Sequence, residues 1–330
     1  MARVAVLGAT GAVGLEMLKI MEERNFVADD LVLLSSVRNA GKKMAWRGMH
    51  YTVSEATPDS FSGVDIVLSA VSSQVSRMLT PEAVSRGAVV VDNSSAFRLD
   101  PQVPLVIPEV NPEDIALHRG IVANPNCSTI IALVAIKPLH DYATVRRMVV
   151  STYQAVSGAG AAGVAELQAQ VHGHVRGEDA HPEVFPYPIA FNVIPHIDTF
   201  YANGYTGEEM KMQNEARKIM HSPNLRISCT CVRVPVFRSH SEAITLETER
   251  SLSADKAREL LAGAPGIRLL DDPVNLSYPM PLYSSDQDLI LVGRIREDIS
   301  ADNSLVLWVS GDQVRKGAAT NAVQIAEMLI

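Results

Sequence analysis

The sequence is poor in cysteine, in aromatic residues and in unbroken apolar or basic runs, and each shortage removes a class of protein. Its 330 residues include three cysteines, Cys127, Cys229 and Cys231. They make no CxxC pair and no even framework, which excludes a disulfide scaffold and fits a reducing compartment. Cys229 and Cys231 stand two apart in a β-like run, where alternate residues share a face, and read as packing residues. No segment reaches the ~18 apolar residues of a membrane span, and the N-terminus runs from Arg3 into glycines rather than into a long apolar leader core. The expectation is a cytoplasmic protein with no membrane partner. Aromatics make up 5% of the chain and the formal charge is −8, so no basic tract interleaved with aromatics is there to grip a nucleic acid. No repeat of about 20–50 residues is visible, which excludes a solenoid.

What is present is a globular composition, 47% hydrophobic and 20% charged, in a chain long enough for about two domains. Apolar runs at 3–7, 31–36, 65–69, 88–92 and 121–123, with helical periodicity at 12–24, predict a parallel sheet with helices on both faces. From about residue 146 the rhythm changes. Strand-like runs at 147–155, 226–234, 243–249, 289–296 and 305–310, with helical segments at 161–171, 208–220, 254–262 and 318–329, predict an α+β domain on a mixed or antiparallel sheet. The expected boundaries are 1–127 and 128–312, with a C-terminal helix at 313–330 returning to the first domain. The stretch 173–198 reads as an irregular excursion.

GATGAVG, residues 8–14, directly follows the first strand and opens the first helix. Gly8, Gly11 and Gly14 let a backbone approach a pyrophosphate at a helix N-terminus while small residues let helix and strand pack closely, and Thr10, Ala12 and Val13 of the same turn are read with them as cofactor-binding. The spacing is GxxGxxG rather than GxGxxG, so its place between strand and helix carries the dinucleotide reading. At the end of the second strand an NAD site usually sets an acid on the ribose, whereas this chain reads Ser35-Ser36-Val37-Arg38-Asn39-Ala40-Gly41-Lys42. Hydroxyls and cations there suit a 2′-phosphate, which points to NADP. NPNCST, residues 124–129, puts Cys127 at the start of an apolar helical run. The unsatisfied N–H groups and partial positive charge of a helix N-terminus favour a thiolate. An isolated cysteine is more often a small buried hydrophobe. This one has company in Arg233, at the end of one strand, and His240, near the start of the next. A guanidinium clamps a carboxylate through two parallel bonds and an imidazole moves protons near neutral pH, so thiol, clamp, acid/base and nucleotide site make an inventory for acyl transfer.

Taken together, GATGAVG at 8–14, SSAFR at 94–98, NPNCST at 124–129, YQAVSGAG at 153–160, FPYPIAFNVIPHID at 185–198, EEMK at 208–211 and RVPVFRSH at 233–240 resemble the aspartate-β-semialdehyde dehydrogenase family over essentially the whole chain. Related acyl-phosphate reductases carry SCTTN-like or GCYPT-like nucleophile motifs, and neither occurs here. The resemblance implies an α/β protein with an N-terminal Rossmann-like doubly wound sheet plus an α+β catalytic and dimerisation domain with a mixed sheet. It implies that Cys127 is the nucleophile, that Gln154 orients the reacting carbonyl and that His240 is the acid/base. Arg233 and Glu208 would bind the substrate's α-carboxylate and α-amino groups, and Arg98, Asn126 and Lys211 its phosphate. Glu208 and Glu209 are adjacent, and which of them faces the amino group stays open. Ser157, Gly158 and Gly160 of a second glycine loop would lie against the nicotinamide of NADP, with Asn321 or Gln324 of the last helix touching the cofactor.

The implied reaction is NADPH-dependent reductive dephosphorylation of L-4-aspartyl phosphate to L-aspartate 4-semialdehyde through a cysteine thioester. It serves biosynthesis of the aspartate-family amino acids (lysine, threonine, methionine, isoleucine) and of diaminopimelate. The alternatives are a reductase of another ω-acyl phosphate, such as N-acetyl-glutamyl phosphate, and a non-catalytic NADP-binding regulator on the same fold. The family implies a homodimer, with the apolar segment 185–194 packing on the second subunit. His172, His174, His181 and His196 fall in one irregular region, but their spacing fits no helical HExxH or Cys/His zinc pattern, and no metal is expected.

Overall fold

The first strand has period-two burial on both sides, which only a sheet covered on two faces can use. In the computed structural model, which describes residues 2–330, β1 (Arg3–Leu7) sends Val4 and Val6 to one apolar cluster and Ala5 and Leu7 to another. The first cluster takes Met17, Leu18, Ile20 and Met21, the apolar stripe of α1 (Ala12–Glu23). The second takes Leu79 and Ala83 of α2 (Ser73–Ser85). Between and beyond these helices lie β2 (Asp30–Ser35), a small antiparallel hairpin of β3 (Lys43–Trp46) and β4 (Met49–Thr52), β5 (Ser54–Glu55), β6 (Ile66–Ser69), β7 (Val89–Asp92) and β8 (Ile121–Ala123). The six-stranded sheet runs β5-β2-β1-β6-β7-β8, parallel throughout. This is the doubly wound arrangement expected.

The chain divides into two compact units, 1–126 with 317–330 and 127–316. The second unit opens with α3 (Cys127–Ala143), whose residues from Ser128 to Ile136 are buried on every side. It continues through β9 (Val145–Gln154), α4 (Gly160–Arg176), α5 (Gly207–Ile219), β10 (Arg226–Arg233), β11 (His240–Thr248), α6 (Ala254–Ala262), β12 (Ile267–Leu269), the short α7 (Pro281–Ser284), β13 (Ile290–Glu297) and β14 (Ser304–Gly311). Its sheet order is β10-β9-β11-β14-β13-β12. The outer pairs β9–β10 and β12–β13 are parallel and the inner ones antiparallel, so the sheet is mixed. One face carries Met148, Val150, Thr152 and Gln154 into the interior; the other carries the half-exposed Tyr153 against Trp308, ring centroids 5.2 Å apart. The last helix, α8 (Thr320–Glu327), belongs to the first unit, where Ala322, Val323, Ile325 and Ala326 complete the cluster under α1.

Candidate active site

In the first unit the glycines are required by contact. Gly8 has φ +87°, and a Cβ there would meet Ala70 O at 2.5 Å; a Cβ on Gly14 would meet Gly8 O at 2.3 Å. Gly11 caps α1 with no side-chain bond, so the helix opens at Ala12 and Val13 with its N–H groups unclaimed by a cap. That geometry fits a pyrophosphate. Thr10 and Ser35 place their hydroxyls 2.8 Å apart, and Asn39 ties the pair to Lys42 by donating to Thr10 Oγ1 at 3.0 Å and accepting from Lys42 Nζ at 2.6 Å. Ser36 and Arg38 are exposed beside this network; β2 itself ends in serine, with Glu55 of β5 the register partner of Ser35. Arg98 is buried, its guanidinium donating to Asn124 O at 2.9 Å and Asn93 O at 2.8 Å, and Asn126 is buried at the end of the unit. Asn321 spends its amide on Asn124 Oδ1 at 2.7 Å and Val106 O at 3.0 Å, and Gln324 donates to Glu109 at 3.1 Å. The two candidate cofactor amides of the last helix are thus engaged within their own unit.

The second unit gathers its polar residues along one row of the mixed sheet. Register pairs Arg233 of β10 with Gln154 of β9, and the Ser241–Tyr153 pairing sets His240 at the start of β11 on Gln154's other side. All three are buried. Gln154 accepts from Thr152 Oγ1 at 2.9 Å through its carbonyl and donates from Nε2 to Glu208 Oε1 at 3.2 Å, with His240 Nε2 3.4 Å away. Ala155 N–H donates to His240 Nδ1 at 3.0 Å, which leaves the proton of the neutral ring on Nε2. Burial, aided by the Arg233 charge and opposed by the Ser239 backbone, holds His240 well below the ordinary histidine pKa, so the imidazole is neutral at physiological pH. Arg233 donates to Ala155 O at 2.6 Å and lies over the Phe185 ring. Burial lowers its pKa while Glu208 and Cys127 pull it back up, so those two groups share the guanidinium's field. Cys127 is the first residue of α3.

Glu208 and Glu209 separate cleanly. Glu209 closes the N-terminal box of α5, taking Thr206 N–H at 2.7 Å, and also accepts Cys231 N–H at 3.0 Å. Glu208 instead meets Gln154 and, at 3.0 Å, Lys211, whose Nζ also reaches Asp198 at 2.8 Å. Burial works against the Lys211 charge, but Glu208 and Asp198 outweigh it and raise its pKa. The second glycine loop packs against the row: a Cβ on Gly158 would meet Arg233 Nη1 at 2.7 Å and His240 Cε1 at 3.4 Å. Gly160 follows at φ +78°.

One residue of this site escaped the sequence reading. Gln313, just past β14, accepts Ser239 N–H at 2.8 Å and donates to Ser157 Oγ, joining the residue before His240 to the glycine loop. The only signal was its place at the end of a strand. Cys229 and Cys231 are buried with sulfurs 3.6 Å apart, and Cys231 together with burial pushes the Cys229 thiol up, as suits packing residues.

Known proteins match in the same two parts. Residues 3–118 match the semialdehyde dehydrogenase NAD-binding domain and 136–316 the semialdehyde dehydrogenase dimerisation domain. An aspartate-semialdehyde dehydrogenase of Aquifex aeolicus is 52% identical over 99% of this chain and 98% of its own. The chain belongs to the aspartate-semialdehyde dehydrogenase family. Aspartate semialdehyde dehydrogenase II of Vibrio cholerae, solved in complex with ASA, superposes with a TM-score of 0.97 at 46% identity, covering 100% of this chain and 98% of that one. The aspartate semialdehyde dehydrogenase of Candida albicans, solved with NADP, gives 0.78 at 26% identity, covering 100% and 98%. Membership agrees with the resemblance read from the motifs, and the family's domains carry both the nucleotide-binding and the dimerisation expectation. Among the described residues no helix is long and apolar enough to cross a membrane.

Proposed function

We propose that the chain catalyses NADPH-dependent reductive dephosphorylation of L-4-aspartyl phosphate to L-aspartate 4-semialdehyde, on the route to lysine, threonine, methionine, isoleucine and diaminopimelate. The observation that carries this reading is the buried Arg233–Gln154–His240 row, a carboxylate clamp and a neutral acid/base on three adjacent strands. Arg233 grips the substrate's α-carboxylate and Glu208 its ammonium, while Lys211 takes the phosphate. Cys127 Sγ attacks the acyl carbon; the new S–C bond forms as the C–O bond to phosphate breaks, and phosphate leaves with the electron pair. The helix N-terminus favours the thiolate, and covalent capture divides one hard step into two. Gln154 orients the thioester carbonyl from its amide. NADPH, when bound through residues 8–14, Ser35, Ser36 and Arg38, supplies the hydride. His240 Nε2–H shares its proton with the tetrahedral oxygen through a hydrogen bond as hydride arrives and keeps it as that oxygen re-forms the carbonyl and the S–C bond breaks, releasing the aldehyde and regenerating the Cys127 thiolate.

The enzyme is inferred to work in the cytoplasm as a homodimer. Free cysteines support the first, and the exposed Tyr187, Phe191 and Val193 of the 185–194 segment support the second. A substrate panel tests the reading. Phosphate-dependent NADP⁺ reduction should be strong with L-aspartate 4-semialdehyde and weak with N-acetyl-glutamate semialdehyde or with NAD⁺. The reverse preference would select another ω-acyl phosphate, and no turnover with any would select a binding protein.

A further inference from the structure

His240 takes its orientation from the residue before it. Ser239 is fully buried with φ at +73°, a left-handed backbone that a residue bearing a Cβ adopts only at a cost. Its surroundings over-determine that conformation. The Ser239 N–H donates to Gln313 Oε1 at 2.8 Å, and its hydroxyl lies 3.0 Å from that of Ser285. Each partner is fastened in turn, Ser285 Oγ to Pro281 O at 2.7 Å and Gln313 to Ser157. The neighbouring Asp312 holds Arg238 at 2.6 Å and the Asp286 N–H at 2.7 Å. The bend delivers His240 into β11 with Nδ1 3.0 Å from Ala155 N and Nε2 3.4 Å from Gln154 Nε2. A Ser239 relaxed to negative φ would turn the ring away from Ala155, freeing Nδ1 to carry the proton. Both tautomers would then be open, and only one of them presents a donor to the reacting oxygen.

We propose that Ser239 is a positioning residue whose left-handed backbone, clamped by Gln313 and Ser285, fixes His240 as the Nε2–H tautomer aimed at the carbonyl held by Gln154. The kinetic part of the test rests on the proposed reaction; the spectroscopic part does not, so failure of one is distinguishable from failure of the other. Protein labelled with [¹⁵N]histidine is compared as wild type, Ser239→Val, Ser239→Ala and Ser239→Gly, reading the ring nitrogens of His240 by NMR and kcat and KM with L-aspartate 4-semialdehyde. Wild type should show an unprotonated Nδ1 and a protonated Nε2. Valine, β-branched and strongly averse to this φ, should mix the tautomers and lower kcat roughly 10²-fold with little change in KM, the size expected when a proton donor is misplaced. Glycine, which accepts the φ freely, should recover the Nε2–H tautomer and most of that loss. Alanine keeps the backbone cost without the hydroxyl bond, so it should fall below glycine in kcat, and that ordering decides the matter if the valine variant does not fold. An Nδ1–H tautomer in wild type, a valine variant with unchanged tautomer and kcat, or alanine equal to or better than glycine would each overturn the proposal.

Discussion

Arg233 and His240 sit on either side of Gln154, yet their variants should fail in different ways. Arg233→Lys keeps a cation and loses the planar fork, and disrupting a desolvated bidentate pair costs about 2–5 kcal/mol, roughly 30-fold to several thousand-fold in kcat/KM. His240→Asn removes proton transfer worth roughly 10²–10⁴-fold, and should lower kcat with a modest change in KM. Steady-state kinetics with L-aspartate 4-semialdehyde checks both, and a nearly silent Arg233→Lys would mean that Arg233 does not grip the carboxylate. These residues were legible as types, because a cysteine opening a helix, an arginine ending a strand and a histidine starting the next have few bland explanations together. The division of labour between Glu208 and Glu209 was not. It depends on the cap of α5 and on the Cys231 N–H, and so on which strand lies beside that helix.

At the scale of elements, apolar and strand-like runs located β1, β2, β6 to β11, β13 and β14, while α2, β5, β12 and the β3–β4 hairpin went unread. Helix α2 carries Pro81 inside a polar sequence, and its start is marked by Ser72 accepting Val75 N–H at 3.4 Å rather than by an apolar stripe. β11 also buries a carboxyl group that the proposed chemistry does not call on. Glu242 is fully buried two residues along the strand from His240, on the same face, and neither carboxyl oxygen has a hydrogen-bond partner among the described residues. Burial, then Cys231 and Glu208, raises its pKa well above the ordinary carboxylate range, so the folded protein keeps this proton while the unfolded chain gives it up above about pH 4.3. Stability from this group is therefore complete at acid pH and declines as pH rises toward the raised value, by at most about 1.4 kcal/mol per pH unit. Glu242→Gln, neutral at every pH, should remove that slope. Urea denaturation of both proteins between pH 5 and 8 checks it, and an unchanged difference across the range would show that Glu242 is not protonated in the folded state.

At the scale of the whole molecule, alternating strand and helix up to about residue 125 announced a nucleotide-binding sheet, and the longer strands that follow announced a different second sheet. The site itself could not be drawn from spacing. Gln154, Glu208, Arg233 and His240 become neighbours through the order β10-β9-β11, which no local period encodes, and Gln313 joins them from the far end of β14. The proposed choice of nucleotide is local, since it rests on the residues at the end of β2. Ser36→Asp with Arg38→Ala removes a phosphate partner and adds like-charge repulsion, so the NADP⁺/NAD⁺ ratio of kcat/KM should fall. An unchanged ratio would mean the 2′-phosphate is read elsewhere.

In the proposed mechanism Cys127 carries the acyl group. Wild-type protein mixed with L-aspartate 4-semialdehyde and NADP⁺ in the absence of phosphate, then quenched in acid and digested, should show an aspartyl thioester by mass spectrometry on the peptide that contains Cys127, with Cys127→Ser giving none. An adduct on Cys229 or Cys231, or NADP⁺ reduction by Cys127→Ser at the wild-type rate, would contradict the account.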